Sequence, residues 1–383
     1  MNIRLSGLCL ALTALCPGGS ACLWDRDTLA VESKGRMDFV AVLVGRFERN
    51  PPLYYQMRID RESKELRRNP ARLDDYDDIA VAESRLGKND LALDWMKRKR
   101  AELNALKSKD KEAWYRLFAN EGTFYTLRWM KNGCNPNDLT DNSLAIDDLD
   151  KAIKINPDAH FGREWVQREF LMWAQDPANR FGENLYWNNP DRSPLQNALG
   201  LAGLIRLGEA WESPEITAAL GAMLAKLNEP KGARIAGLAY YRTEELLNSG
   251  KVSLGPDLIS KTYSDFFLTP GKRLGYSPSM EMDSFDRAQY KRLRRDADAW
   301  ERNRTAFMME RMKAGRHPDT DPHFWDGYVD SPALTVKAPM FWEIPGFWAN
   351  FASTVEYFAV MGFVIGCGYF YLAVWRRPLK DSE

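Results

Sequence analysis

Asn-Pro pairs divide the first part of the chain into amphipathic segments. The pairs at 50–51, 69–70 and 156–157 stand between stretches whose apolar residues recur at helical spacing. Proline cannot continue a helix, and it forces the residue before it out of helical geometry. Strand-like alternation is scarce, and no glycine-rich phosphate loop occurs in the sequence. The sequence therefore predicts an all-α chain whose helices have sharply defined ends.

The clearest helix pair follows the Asn-Pro at 69–70. Its apolar residues recur at three- and four-residue spacings, which place them on one face of each helix. Gly87 separates the two helices, because glycine accepts the left-handed conformation that closes a helix at no steric cost. The segment resembles the tetratricopeptide repeat, a helix–turn–helix unit of about 34 residues. The positions that carry the resemblance are Leu73, Tyr76, Ile79, Ala80, Gly87 and Ala92.

A second unit of the same kind ends at Pro157. Trp114 takes the aromatic place of its first helix, and Ala145 and Ala152 take the small places of its second helix. Small residues let two helices approach closely and cross at the angle that builds a superhelix. Trp114 and Pro157 lie farther apart than a regular repeat allows. This distance predicts an insertion within 131–143, between the two helices, and places Cys134 in it.

The resemblance extends loosely over residues 36–250. It implies an all-α superhelix of tetratricopeptide-like helix–turn–helix repeats. The residues beyond it predict a long C-terminal helix and one transmembrane helix. Arg36–Glu48 and Leu53–Arg67 are expected to form a degenerate first pair. The predicted order is a signal peptide at 1–21, repeats at 22–176, further repeat-like helices at 190–250, a long charged helix and proline-rich linker at 251–340, a transmembrane helix at 353–375 and a tail at 376–383.

The N-terminus has the features of an export signal. Arg4 precedes the short apolar run LSGLCLALTALC, and Gly19 and Ala21 occupy the small-residue places of a cleavage site. Cleavage after Ala21 makes Cys22 the first residue of the exported chain. Whether Cys22 is lipidated or pairs with Cys134 stays open.

The C-terminus has the features of a membrane anchor. Residues 353–375 carry a single charge, Glu356, and are long enough to cross a bilayer. The basic sequence RRPLK follows directly, and basic residues favour the cytoplasmic side. We therefore expect a single-pass protein of the cell membrane, with its body on the periplasmic side and residues 376–383 in the cytoplasm.

Charge and composition narrow the classes of ligand. Lys+Arg and Asp+Glu each number 53, so the formal net charge is zero. Phosphate binding needs a basic excess or a basic patch, so nucleic acid is not an expected partner. His317 and His323 alternate with carboxylates in HPDTDPHFWDGYVD, but the spacing matches no known metal site and suits a rigid connector equally well. We predict no metal, no cofactor and no catalytic residue, and whether the loop with His317, Asp319, Asp321, His323 and Asp326 binds a metal stays open.

Repeats of this family present the inner face of each first helix to a peptide or a partner protein. The resemblance implies that the residues at these places bind another protein. Acidic side chains there favour a basic or mixed-charge segment, and an aromatic side chain anchors it. The predicted partner-binding residues are Asp74, Asp77, Arg85, Tyr115 and Arg168; the other inner-face places are taken by Val81, Glu112, Phe161 and Glu164.

The predicted function is noncatalytic: an exported, membrane-anchored scaffold or adaptor that mediates protein–protein interaction in the cell envelope. Two alternatives stay open. One is an extracytoplasmic enzyme that uses paired carboxylates, which are abundant in stretches such as RLDDYDD. The other is a structural subunit of a membrane complex that contacts its partner through the transmembrane helix. The identity of the partner and the oligomeric state do not follow from the sequence.

Overall fold

The structure is a computed structural model that describes residues 23–32, 37–157, 159–175, 181–187, 191–227, 230–250 and 280–336. Within these ranges all regular secondary structure is helical, which confirms the prediction of an all-α body. The helices are α1 Arg26–Glu32, α2 Phe39–Val44, α3 Pro52–Arg68, α4 Leu73–Arg85, α5 Asn89–Ala105, α6 Lys111–Lys131, α7 Thr140–Ile155, α8 Arg163–Gln175, α9 Phe181–Trp187, α10 Pro194–Leu207, α11 Pro214–Ala225, α12 Pro230–Asn248 and α13 Met280–Lys313. Short 3-10 turns lie at Ala159–Gly162 and Ala210–Glu212.

The predicted membrane-related segments lie outside the described residues. These are the signal peptide 1–21, the transmembrane helix 353–375 and the tail 376–383. Among the helices that the structure describes, none combines the length and the apolar character that crossing a membrane requires.

The Asn-Pro pairs at 69–70 and 156–157 end helices as the sequence predicts, whereas the pair at 50–51 directly precedes α3, well after α2 ends at Val44. Asn69 and Asn156 follow α3 and α7 directly, and both have extended backbone angles, with ψ of 91° and 87°. The following proline forces this geometry on the asparagine. Gly87 adopts a φ of 75° after α4, the left-handed conformation that a helix end requires. The turn between α4 and α5 is therefore the predicted one.

Consecutive helices pack on each other along the chain. From α3 to α8 each helix contacts the next, α4 also contacts α6, and the series continues from α8 through α10 and α11 to α12. Ile79, Ala80 and Ala92 are fully buried between α4 and α5. A Cβ atom on Gly122 would lie 2.9 Å from a Leu149 side-chain atom, so α6 and α7 approach very closely. The small residues predicted for helix crossings thus lie at tight contacts.

Two local expectations differ from the structure. Helix α2 packs on α10 and α12, whereas α3 packs on α4, so the expected first pair of Arg36–Glu48 with Leu53–Arg67 is replaced by contacts with other helices. Helix α2 is apolar on all sides and needs burial on all sides. The second unit was expected to carry its extra residues as an insertion within 131–143, between its two helices. In the structure the connection between α6 and α7 spans only 132–139, and the long helix α6 contains the rest of the extra length.

The contacts divide the chain into two units. The first comprises Met1–Ser277 and Tyr290–Thr335, and the second comprises Pro278–Gln289 and Val336–Glu383. Within the first unit, α13 buries one apolar face, and Phe307 on this face is half-buried; the buried residues are Leu293, Ala297, Trp300, Met308 and Met312. The chain then turns back beyond Gly315, and the buried ring of Phe324 packs with Tyr54 and Tyr55 of α3.

Candidate functional site: an inner face that holds the N-terminal segment

The side chains of α4, α6 and α8 hold the chain's own residues Leu23–Glu32, called the N-terminal segment from here on. The clearest contact is a main-chain clamp made by Asn120 of α6. The Trp24 backbone N–H donates a hydrogen bond to Asn120 Oδ1 at 2.8 Å, and Asn120 Nδ2 donates to the Trp24 carbonyl at 3.0 Å. Asn120 is fully buried, so both bonds are shielded from water. A single amide side chain thus satisfies the donor and the acceptor of one peptide residue.

The Trp24 side chain is also recognised specifically. Its indole N–H donates a hydrogen bond to Glu164 Oε1 of α8 at 3.0 Å. Its ring meets Tyr115 edge-to-face at a centroid distance of 5.6 Å, and the Arg163 guanidinium lies 4.7 Å from the ring centroid. Trp24 is fully buried by these contacts. Aromatic pairs and cations near a ring each add to the free energy of area burial alone.

A buried arginine ties the N-terminal segment to the rest of the fold. Arg58 of α3 is fully buried. Its guanidinium donates to Asp25 at 3.2 Å, to Asp27 at 2.9 and 3.1 Å and to Asp319 at 2.8 Å. Asp25 and Asp27 belong to the N-terminal segment, whereas Asp319 lies in the loop after α13. One guanidinium therefore joins three parts of the chain that are distant in sequence.

A second arginine, Arg26, belongs to the N-terminal segment itself and bonds to carboxylates of α3 and α4. Arg26 Nε donates to Asp78 at 2.7 Å, and Nη2 donates to Glu62 at 2.9 Å. The carboxylate oxygens of Glu62, Asp75 and Asp78 lie within 4.8 Å of one another and are buried. Arg26 supplies positive charge to this carboxylate cluster, and Arg72 bonds its member Asp75. The N-terminal segment therefore neutralises acidic groups that face the interior.

The carboxylates around Arg58 have different proton affinities. Burial raises the pKa of Asp25 to about 6, with a further contribution from the charge of Asp27. Burial also acts to raise the pKa of Asp319, but the hydrogen bond and charge of Arg58 outweigh it and hold that pKa well below its usual range. Burial lowers the pKa of His317. The His317 ring lies 3.1 Å from the Tyr54 carbonyl through Nε2, and Nδ1 accepts from the Asp319 backbone N–H at 3.1 Å.

The five predicted partner-binding residues have different surroundings. Asp77 and Tyr115 are buried beneath the N-terminal segment, where Asp77 meets Lys99 and accepts from Asn120 at 3.1 Å. Arg85 donates to the carbonyls of Leu207 and Gly208 at the end of α10.

The remaining two are in ion pairs nearer the surface. Asp74 pairs with Arg116 at 2.9 Å, and Arg168 pairs with Asp150 and Glu169. The structure thus brings Asp77 and Tyr115, together with Glu164, to one place. It does not bring all five together, and their role in binding another protein stays a prediction.

Sequence reasoning missed Asn120 and Arg58, and it considered Asp319 only as one of several carboxylates in a candidate metal-binding stretch. Asn120 stands in a helix of mixed polar and apolar residues, next to Glu121, so no local signal marks it. Arg58 stands in a stretch of alternating charges where many arginines look alike. Nothing local distinguishes Asp319 from its neighbour Asp321, which pairs with Arg316 nearer the surface.

Comparison of the chain with protein-family models, with curated proteins and with solved structures finds no match.

Proposed function

We propose that the chain is a tetratricopeptide-like helical scaffold or adaptor whose inner face binds a polypeptide segment of a protein partner in the cell envelope. The observation that carries the proposal is the Asn120 clamp on the main chain of Trp24. Every polypeptide has the backbone N–H and C=O groups to which such a clamp forms hydrogen bonds. The inner face therefore has the chemistry to hold an extended segment whatever its sequence.

Side-chain contacts add selectivity to the clamp. Tyr115 and Glu164 recognise an aromatic residue that carries an N–H donor, and Asp78 recognises a guanidinium next to it. A partner segment that combines an aromatic residue with a following basic residue meets the same contacts. The acidic character expected of this face from Asp77 and its neighbours agrees with that preference.

The membrane part of the proposal depends on the sequence alone. It rests on the export signal at 1–21 and on the apolar residues 353–375 followed by RRPLK. A scaffold of this kind holds its partner outside the cytoplasm, near the bilayer.

The enzyme alternative is less well supported by the geometry. Asp25 and Asp319 are paired carboxylates with unequal pKa values, a feature of acid–base sites. However, both are hydrogen-bonded to the guanidinium of Arg58. Arg58 holds the pKa of Asp319 well below its usual range, so this carboxylate has little capacity to take a proton from a substrate.

The test separates the N-terminal segment from the body without changing the inner face. A specific protease site is placed at 33–36, and the folded full-length protein is cleaved there. We expect the cleaved segment either to stay bound through gel filtration or to be replaced saturably by a fluorescent peptide of residues 22–32. Asn120→Ala should weaken this binding about tenfold or more, because two buried hydrogen bonds are lost.

Two controls make the result specific. Asn137→Ala removes an exposed asparagine from the connection between α6 and α7 and should leave binding unchanged. A peptide in which alanine replaces Trp24 should compete poorly. The proposal fails if the cleaved protein keeps its helical circular dichroism, loses the segment and does not take up the peptide.

A further inference from the structure

A cavity of about 490 Å³ opens beside the N-terminal segment. It lies among α1, α3, the end of α10, α13 and the loop that follows α13. Its volume falls in the range of small-molecule sites. The peptide clamp of Asn120 is not part of its lining, so the cavity is a separate feature of the first unit.

One wall of the cavity carries a buried positive charge without a carboxylate partner. Arg304 is 8% exposed and donates to the Arg49 carbonyl at 3.2 Å and to Asn50 Oδ1 at 3.0 Å. No carboxylate of the described ranges forms an ion pair with it. Burial lowers its pKa, and the charge of Glu48 offsets this only in part. A buried charge is costly unless it is paired, so this wall is suited to receive an anionic group.

The opposite, negatively charged pole of the cavity is the carboxylate of Asp27. The side-chain amide of Asn50 separates this carboxylate from Arg304. Asn50 accepts from Arg304 through Oδ1, and its Nδ2 donates to Asp27 Oδ2 at 3.4 Å. The Asp27 side chain remains 38% exposed although Arg58 and Tyr54 bond to it. The cavity therefore presents positive and negative groups on either side of the Asn50 amide.

The charged groups that line the cavity exclude ligands that carry only one sign of charge. Five carboxylates and three guanidinium groups line the cavity. Arg58, Arg206 and Arg46 pair with these carboxylates, but the carboxylate of Asp27 remains partly exposed and repels a purely anionic ligand such as phosphate. A simple cation, in contrast, leaves Arg304 without a counterion. A ligand that carries both charges close together satisfies both poles.

We propose that this cavity binds a free α-amino acid as its zwitterion, with the carboxylate on Arg304 and the ammonium group towards Asp27. The lining also includes the rings of Trp300, Trp325 and Tyr328. Such rings favour an apolar or aromatic ligand side chain and offer little to a polar one. The ligand class is therefore the large apolar amino acids.

The test uses the full-length protein and a set of matched small molecules. Phenylalanine carries both charges, phenethylamine lacks the carboxylate, and 3-phenylpropionate lacks the ammonium group. We expect phenylalanine to bind in calorimetry and to raise the melting temperature, and each analogue to bind at least about tenfold more weakly, since one charged hydrogen-bonded group is lost. Equal binding of either analogue, or no binding of phenylalanine, overturns the proposal.

A variant pair assigns the binding to this cavity. Arg304→Met removes the buried charge and keeps an apolar side chain of similar length, and it should weaken phenylalanine binding about tenfold or more. Arg302→Met on the exposed side of the same helix is the control and should leave binding unchanged. Unchanged affinity in folded Arg304→Met also overturns the proposal. If Arg304→Met does not fold, the comparison of the three ligands on the unsubstituted protein decides.

Discussion

Replacement of Arg58 by methionine is expected to lower the free energy of unfolding by about 3–5 kcal/mol, because it removes one partner from a buried charge network. Methionine fills most of the space but leaves Asp25, Asp27 and Asp319 without the guanidinium that bonds them. The loss should be larger at pH 8 than at pH 5. Without Arg58, burial raises the pKa values of Asp25 and Asp319 above their unfolded values, so the contribution of these two carboxyl groups to stability declines as pH rises.

The control for Arg58 lies ten positions later in α3. Arg68 is exposed and pairs with Glu65 across one helical turn. Arg68→Met should change the free energy of unfolding by no more than about 0.5 kcal/mol at either pH. Urea denaturation at both pH values measures the two variants. Similar losses in both, or a loss for Arg58→Met that does not depend on pH, would contradict the charge network.

Replacement of Trp24 by alanine is expected to cost about 3–5 kcal/mol, the range for large-to-small changes in a core. Trp24 is fully buried, and its loss leaves a cavity lined by Tyr115 and Arg163 and an unbonded Glu164. Such a cost is unusual for a residue so near the start of a chain, where most residues contribute little.

Thermal and urea unfolding measure this cost. Leu91→Ala provides the control, because Leu91 is a large apolar residue that is 46% exposed in α5. We expect its effect to stay within about 0.5 kcal/mol. A cost for Trp24→Ala as small as that of the control would mean that the N-terminal segment does not occupy the inner face.

The sequence predicts the features that depend on neighbours along the chain. Gly87, the Asn-Pro helix ends and the buried small residues Ala80 and Ala92 follow from local rules of helix geometry and capping. These rules need only a window of a few residues. The all-α character and the turn between α4 and α5 can therefore be predicted from the sequence alone.

The site itself depends on contacts that no local window contains. Trp24 and Glu164 are 140 positions apart, and Arg58 and Asp319 are 261 apart. Arg58 and Arg68 are the same residue type on the same helix, yet one is buried and the other exposed. Periodicity identifies the faces of a helix, but it does not identify which segment covers each face. The N-terminal segment could therefore not be predicted as the occupant of the inner face.

The central claim is that the N-terminal segment occupies the inner face through Trp24, and a double-mutant cycle tests it most directly. Trp24→Phe removes the indole N–H, Glu164→Ala removes its acceptor, and the free energies of unfolding of both single variants, the double variant and the unsubstituted protein are measured. The contact at 3.0 Å predicts a coupling energy of about 1–3 kcal/mol, as expected for a buried hydrogen bond to a charged group. Effects that add within about 0.3–0.5 kcal/mol would show that the two residues do not touch and would contradict the account.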